Sequence, residues 1–176
     1  GCSRSQSPAW MDSHLPQIFL SLQALQASLC HYKVCSTFDS SPRIGSIGRA
    51  LEIGQEVFGS AYVPLVVGAP ALHRYCVFGN LFATVNGETF RIDRHPVMSR
   101  HPVTPMDEGD LRVHLARQTS RRIALMDLLQ LAAPDVDRRF EALLGTQPDI
   151  VLFDMLDEAH LAEVGRLLWT SRPPFM

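Results

Sequence analysis

SIGRALEIGQEVFGSAYVPLVVGAP, residues 46–70, decides the fold. In its first half Ile47, Leu51, Ile53 and Val57 recur at helical spacing and predict a helix over 46–58, in spite of Gly48 and Gly54. Its second half, Tyr62–Val67, is a continuous apolar, β-branched run that stops at Gly68-Ala69-Pro70, a strand running into a loop. A helix handing over to a short apolar strand is the building unit of a layered α/β fold.

The same alternation extends in both directions. Upstream, Ser7-Pro8 combines a capping hydroxyl with proline at the first helical position. The helix it opens should reach about Leu29, with Leu15, Ile18, Phe19, Leu22 and Leu25 on one face and Pro16 kinking or splitting it. Tyr32–Thr37 then reads as a short strand. Downstream, Tyr75–Ile92 carries two strand-like runs on either side of Asn86-Gly87, the strongest short hairpin signal. Asp93–Met106 is rich in proline and histidine and reads as an ordered loop, with His95-Pro96-Val97 echoed by His101-Pro102-Val103. A helix over Asp107–Gln118, a strand over Ile123–Met126, a helix over Asp135–Leu144, a strand over Ile150–Phe153 and a helix over Asp157–Trp169 complete the chain. The expected architecture is α/β: a mainly parallel sheet flanked by helices, with one inserted β-hairpin.

Composition narrows the function classes. The 176 residues suffice for one domain with a core. A 46% apolar content with 19% charged residues is that of a globular chain, and the formal charge of −2 comes with no basic block. No nucleic-acid or anionic-membrane partner is suggested. No apolar run is long enough to span a membrane, and no secretory signal is recognisable. Cys2, Cys30, Cys35 and Cys76 form no C-x-x-C pair and no zinc spacing, so the chain reads as reduced and cytoplasmic. It starts without an initiator methionine at Gly1, and both ends look cut.

The chemistry concentrates in HYKVCSTFDSSPRIGSIG, residues 31–48, which contains Lys33, the sole lysine. In an open α/β sheet, ligands bind beyond the carboxyl ends of the strands. Ser36–Ser41 occupy such an end, and Gly45-Ser46-Ile47-Gly48 enters a helix whose free N–H groups can hold an anion. Lys33 can add a full charge, Asp39 can bind a sugar hydroxyl, and Ser40 can donate and accept. The parts suit a small polyhydroxylated acid. Ser-Asp-Ser-Ser before proline is equally ordinary turn chemistry, and the glycines equally permit close packing. The lysine precedes the glycines, so neither G-x-x-x-x-G-K-[ST] nor G-x-G-x-x-G is present, and no nucleotide loop is supported.

KVCSTFDSSPRIGSIG resembles the lysine–aspartate–serine–glycine segment of the four-carbon acid sugar kinases, and within them the 3-oxo-tetronate kinase branch. SRSQSPAWM, VPLVVGAPALHRYCVFGNLFA and DRHPVMSRHPVTPMDE extend the resemblance along the chain. It implies a sugar-binding domain over residues 1–176, incomplete at its N-terminus. The family's Asp-Asp-x-Thr-Gly opening would precede Gly1 and supply the general base. The nucleotide-binding C-terminal domain would follow Met176. It further implies an ATP-dependent kinase that phosphorylates 3-oxo-tetronate at its terminal hydroxyl in the full-length protein. ATP and Mg2+ would be held outside this stretch, which alone would be inactive. Threonate or erythronate kinase is the alternative within the family; a stand-alone sugar-acid-binding module is the alternative outside it. The resemblance places Ser3, Arg4, Lys33, Asp39, Ser40, Gly45, Ser46 and Gly48 at the substrate. Arg43 departs from it, since an acidic residue is expected there.

A second group is less specific. Arg74 follows the Gly68-Ala69-Pro70 loop and can contact an anion. Ser99, Arg100 and His101 fall in the long loop, where they can close over a substrate or merely stiffen the chain. Asp127 and Asp154 follow strands and read more readily as helix-entry residues than as catalytic ones. No metal site is expected, and the sequence leaves a homo-oligomer open.

Overall fold

The computed structural model describes residues 3–176. A 3-10 turn over Ser3–Ser5 leads into α1, Pro8–Gln23, whose N-cap Ser7 accepts the Trp10 N–H. Pro16 lies within this helix without ending it. α1 stops at Gln23 and not near Leu29: residues 24–29 bury no side chain, and Gln26 turns to φ 54°. The strand expected over Tyr32–Thr37 forms no ladder. A strand needs a partner, and here the backbone of Cys30 and Tyr32 meets only the short stretch Pro174–Met176.

α2 is Ile47–Phe58, capped by Ser46, and β1 is Val63–Val66. β2 (Arg74–Val77), β3 (Asn80–Val85) and β4 (Glu88–Arg91) form an antiparallel sheet. The expected turn at Asn86-Gly87 joins β3 to β4. A second tight turn at Phe78-Gly79, with φ of 50° and 79°, divides what reads in sequence as one run. α3 covers only Leu111–Ala116, because Asp110 takes the N-cap and starts the helix later than Asp107. β5 (Ile123–Met126) is followed by α4 (Leu128–Leu131), a single turn fixed by a capping box between Asp127 and Gln130. α5 (Val136–Gly145), β6 (Ile150–Phe153) and α6 (Glu158–Ser171), capped by Asp157, end the chain.

β1, β6 and β5 pair in parallel in that order, with Ile150 opposite both Val63 and Ile123. Central β6 is buried throughout, which explains its unbroken apolar run. Ile150 and Leu152 join a core with Met11, Leu15 and Phe19 of α1 and Leu51 of α2, which also takes in β3 and α3. Val151 and Phe153 point the other way, to Phe140 of α5 and Val164 and Leu167 of α6. No helix among the described residues is long and apolar enough to cross a membrane.

Asp154 joins the two sheets. Its side chain, fully buried just past β6, accepts the N–H groups of Phe78 (2.6 Å), Gly79 (2.9 Å) and Leu128 (3.2 Å). The carboxylate thus clasps the β2–β3 turn and the start of α4 onto the central strand. Burial pushes its carboxyl above the ordinary range, against the pull of those N–H groups.

Candidate functional site

Residues distant in sequence meet at Asp39. Its side chain has no exposed surface, yet the Arg4 guanidinium donates to Oδ2 at 2.5 Å while remaining 57% exposed itself. Gly45 makes this approach possible. It has φ +63°, its N–H donates to Gln6 O, and a Cβ there would lie 2.4 Å from the Arg4 carbonyl oxygen. Only glycine satisfies both demands.

Asp39 has further donors. The Thr37 hydroxyl donates to Oδ1 at 2.6 Å, and Cys35 Sγ lies 3.0 Å from Thr37 Oγ1. The Thr104 hydroxyl, from the Asp93–Met106 loop, donates to Oδ2 at 3.3 Å. Burial pushes the Asp39 carboxyl up. The hydrogen bonds of Thr37 and Arg4, with the Arg4 charge, outweigh it and hold the carboxyl below its ordinary value. Hydrogen bonding and the charge of Asp39 in turn raise Arg4.

The repeated His-Pro-Val has a local physical role. His101 Nδ1 accepts the N–H of Thr104 at 3.0 Å and of Val103 at 3.4 Å; His95 Nδ1 accepts those of Val97 and Met98, both at 3.2 Å. Each imidazole closes its own turn, and the second turn delivers Thr104 to Asp39.

Ser40 belongs to a neighbouring cluster beneath the site. Its hydroxyl donates to Phe38 O (2.9 Å) and accepts from Gln118 Nε2 (2.9 Å). The single hydroxyl proton is then used, so the 3.1 Å contact to His114 Nε2 makes that nitrogen the donor. His114 Nδ1 is buried and finds no hydrogen-bond partner among the described residues. Burial and the Arg117 charge hold this imidazole below its ordinary range. Gln118 Oε1 meanwhile accepts the N–H groups of Ile47 (2.9 Å) and Gly48 (3.3 Å), and Ser46 accepts that of Arg49. The start of α2 therefore spends these donors on the protein. A Cβ at Gly48 would sit 2.8 Å from Gln118, so this glycine admits the glutamine.

A groove of about 480 Å3 opens beside Arg4. Ser3, Arg4, Lys33, Cys35 and Asp39 are among its polar lining residues, and Trp10, Ile18 and Leu22 of α1 are among its apolar ones. Lys33 is exposed and makes no ion pair with the described residues. Ser3 Oγ and the Tyr32 hydroxyl share a hydrogen bond of 3.1 Å; burial raises the Tyr32 phenol.

The structure thus gathers Ser3, Arg4, Lys33, Asp39 and Gly45 around one groove and places Ser40, Ser46 and Gly48 in the support behind it. His101 reaches Asp39 through Thr104. Arg74, Ser99 and Arg100 do not line the groove: Arg74 donates to the carbonyls of Leu72, His73 and Thr84, and Ser99 to that of His95. Sequence reasoning missed Thr37, Thr104, His114 and Gln118. Thr37 was open to notice, two residues before Asp39 in a hydroxyl-rich run; the others are separated from the motif by more than sixty residues.

The chain is 58% identical over 172 residues to the 3-oxo-isoapionate kinase of Paraburkholderia graminis, covering 98% of this chain and 37% of that protein. It is 28% identical to the 3-oxo-tetronate kinase of Methylobacterium radiotolerans, over 84% of this chain and 34% of the relative. The chain spans little more than a third of the length of these relatives. Among solved structures, Haemophilus influenzae protein HI1011 superposes with a TM-score of 0.83 at 20% identity, over 94% of this chain and 39% of that one. A Bordetella bronchiseptica domain, crystallised with bound citrate as a domain-swapped dimer, superposes with a TM-score of 0.73 at 18% identity, over 99% and 39%. The model of the sugar-binding N-terminal domain matches residues 1–176, and through that domain the chain belongs to the four-carbon acid sugar kinase family.

Proposed function

We propose that this domain binds a short 3-oxo sugar acid and presents its terminal hydroxyl for phosphorylation by ATP. The observation that carries the reading is Arg4: an exposed side chain, anchored on a buried carboxylate, in the same groove as Lys33, which has no ion pair among the described residues. Arginine grips a carboxylate through paired N–H donors, and lysine adds a second positive charge. Ser3 offers a hydroxyl beside them. Asp39, already supplied with protein donors, serves here to aim Arg4. Citrate bound to the Bordetella neighbour supports a carboxylated ligand in this fold. The 58% identity to a 3-oxo-isoapionate kinase makes 3-oxo-isoapionate the first substrate to test, with 3-oxo-tetronate second.

ATP and Mg2+ are taken to bind outside this chain. Ser46 and Gln118 occupy the α2 N–H groups that would hold a phosphate, and no group of three His, Cys, Asp or Glu that could hold a metal occurs among the described residues. The nucleotide is assigned to the remainder of a protein of the relatives' length. This domain's contribution is positioning, which is most of what phosphoryl transfer asks of a protein.

Calorimetric titration of the chain tests the reading. Both 3-oxo acids should bind, erythritol should not, and Arg4→Ala should abolish binding. Equal affinity for the neutral polyol, or unchanged affinity in Arg4→Ala, rules the reading out.

A further inference from the structure

We infer that Thr37 and Thr104 are positioning residues that set the direction of the Arg4 guanidinium through Asp39. The inference rests on the proposed sugar-acid site and adds two residues to it that line none of its groove. A wholly buried carboxylate must be held by donors, or it rotates and leaves a charge unsatisfied. Thr37 donates to Asp39 Oδ1, Arg4 and Thr104 donate to Oδ2, and the Cys35 thiol also helps to hold the carboxyl down. The Thr37 proton is committed to Asp39, so the Cys35 thiol, within 3.0 Å of Thr37 Oγ1, brings its own proton to this cluster and lowers the carboxyl further. Thr104 has the choice of Asp39 or His101 Nδ1 at 3.1 Å. That nitrogen already accepts two backbone N–H groups, and a carboxylate is the stronger acceptor, so the proton faces Asp39.

The two hydroxyls thus fix the carboxylate from opposite oxygens. One comes from its own loop, the other from a loop 65 residues away. Arg4 is 57% exposed and has no other ion-pair partner among the described residues, so the orientation of Asp39 sets its orientation. Substrate affinity should therefore depend on two threonines that need not touch substrate, and the His-Pro-Val loop becomes part of the site.

The test compares the chain with Thr37→Val and Thr104→Val, which keep shape and remove the hydroxyl, and with Thr37→Ser and Thr104→Ser, which restore it. Three quantities are read: the Asp39 carboxyl titration by 13C NMR, the order of Arg4 Nε–H by 15N relaxation, and affinity for 3-oxo-isoapionate. Each valine variant should raise the Asp39 midpoint, loosen Arg4 Nε–H and weaken binding about tenfold. Each serine variant should recover all three. If the valine variants leave the Asp39 midpoint and Arg4 order unchanged, or if serine behaves as valine, the inference is overturned. Weaker binding without either NMR change overturns it too, because the loss then bypasses Asp39. Should the wild-type chain bind no sugar acid, the proposed function fails while the two NMR readings still decide the relay. Amide spectra verify folding, and a valine variant that unfolds is replaced by alanine at the same position.

Discussion

Arg4 and Asp39 meet at 2.5 Å across 35 residues of sequence and differ completely in exposure, 57% for one side chain and 0% for the other. A buried carboxylate beneath an exposed guanidinium is an asymmetric pair. Removing the acid leaves a cation that can return to water, whereas removing the arginine leaves a buried charge short of a donor. The arginine is free to find a ligand because the acid is not.

The acid side of this pair predicts a pH response. The folded Asp39 carboxyl titrates below its ordinary value of about 3.9. The unfolded chain therefore takes up its proton first as pH falls. The stability that Asp39 contributes is complete above about pH 4 and is lost as pH drops towards its folded value. Asp39→Asn should be less stable than wild type by about 1–3 kcal/mol at pH 7. The gap should narrow below pH 4 in urea denaturation. A constant gap from pH 7 to pH 3 contradicts this account.

Two histidines predict a second transition at higher pH. Burial holds both His95 and His114 below the ordinary imidazole range, with Arg74 and Arg117 respectively adding to the effect. The unfolded chain protonates them near pH 6.5, the folded chain lower. Stability is thus complete above about pH 6.5 and falls as pH drops below it. Protonating His95 Nδ1 also removes the acceptor for Val97 and Met98 N–H. The melting temperature should fall between pH 7.5 and pH 5.5. His114→Gln keeps a donor for Ser40 without a titrating ring, so its fall should be smaller.

Gly45 predicts a local effect that a neighbouring control isolates. Gly45 and Gly59 have nearly the same φ, +63° and +61°, but a Cβ at Gly59 meets nothing within 4 Å. Gly59→Ala should cost about 1 kcal/mol from backbone conformation alone. Gly45→Ala adds the clash with the Arg4 carbonyl and should cost more. It should also displace Arg4 and weaken sugar-acid binding, which Gly59→Ala should leave intact. Equal stability losses with unchanged binding in both variants would remove Gly45 from the site.

The sequence carried the architecture well where periodicity was clear. The apolar runs at Val63–Val66 and Ile150–Phe153 are strands because helices cover both faces of their sheet. Asn86-Gly87 is a turn because both residues adopt positive φ. It failed where partners decide. Tyr32–Thr37 has strand composition but lacks a ladder, and Phe78-Gly79 has a turn that its apolar neighbours conceal. The site divided along the same line. The motif marked Lys33, Asp39 and Gly45, but it could not reveal that Asp39 faces Arg4 or that Gln118 takes the α2 N–H groups. Those facts depend on contacts between residues far apart in the chain, which no local pattern records.

Asp154 gives the sharpest separation of structural from chemical roles, since its place at the end of the central strand is also where catalytic acids occur. It accepts three backbone N–H groups, two on Oδ2 and one on Oδ1, with the Cys76 thiol as a side-chain partner. In Asp154→Asn the amide NH2 can only replace one oxygen. The less costly orientation turns it towards Gly79 and keeps the oxygen for Phe78 and Leu128. One buried N–H then loses its acceptor, at about 1–3 kcal/mol. Hydrogen exchange should show the Gly79 amide losing protection in Asp154→Asn, and all three amides losing it in Asp154→Ala. Sugar-acid affinity should stay at the wild-type value in Asp154→Asn, because Asp154 does not line the groove. A folded Asp154→Asn that exchanges normally but no longer binds would assign Asp154 to substrate instead of to the clasp between the sheets.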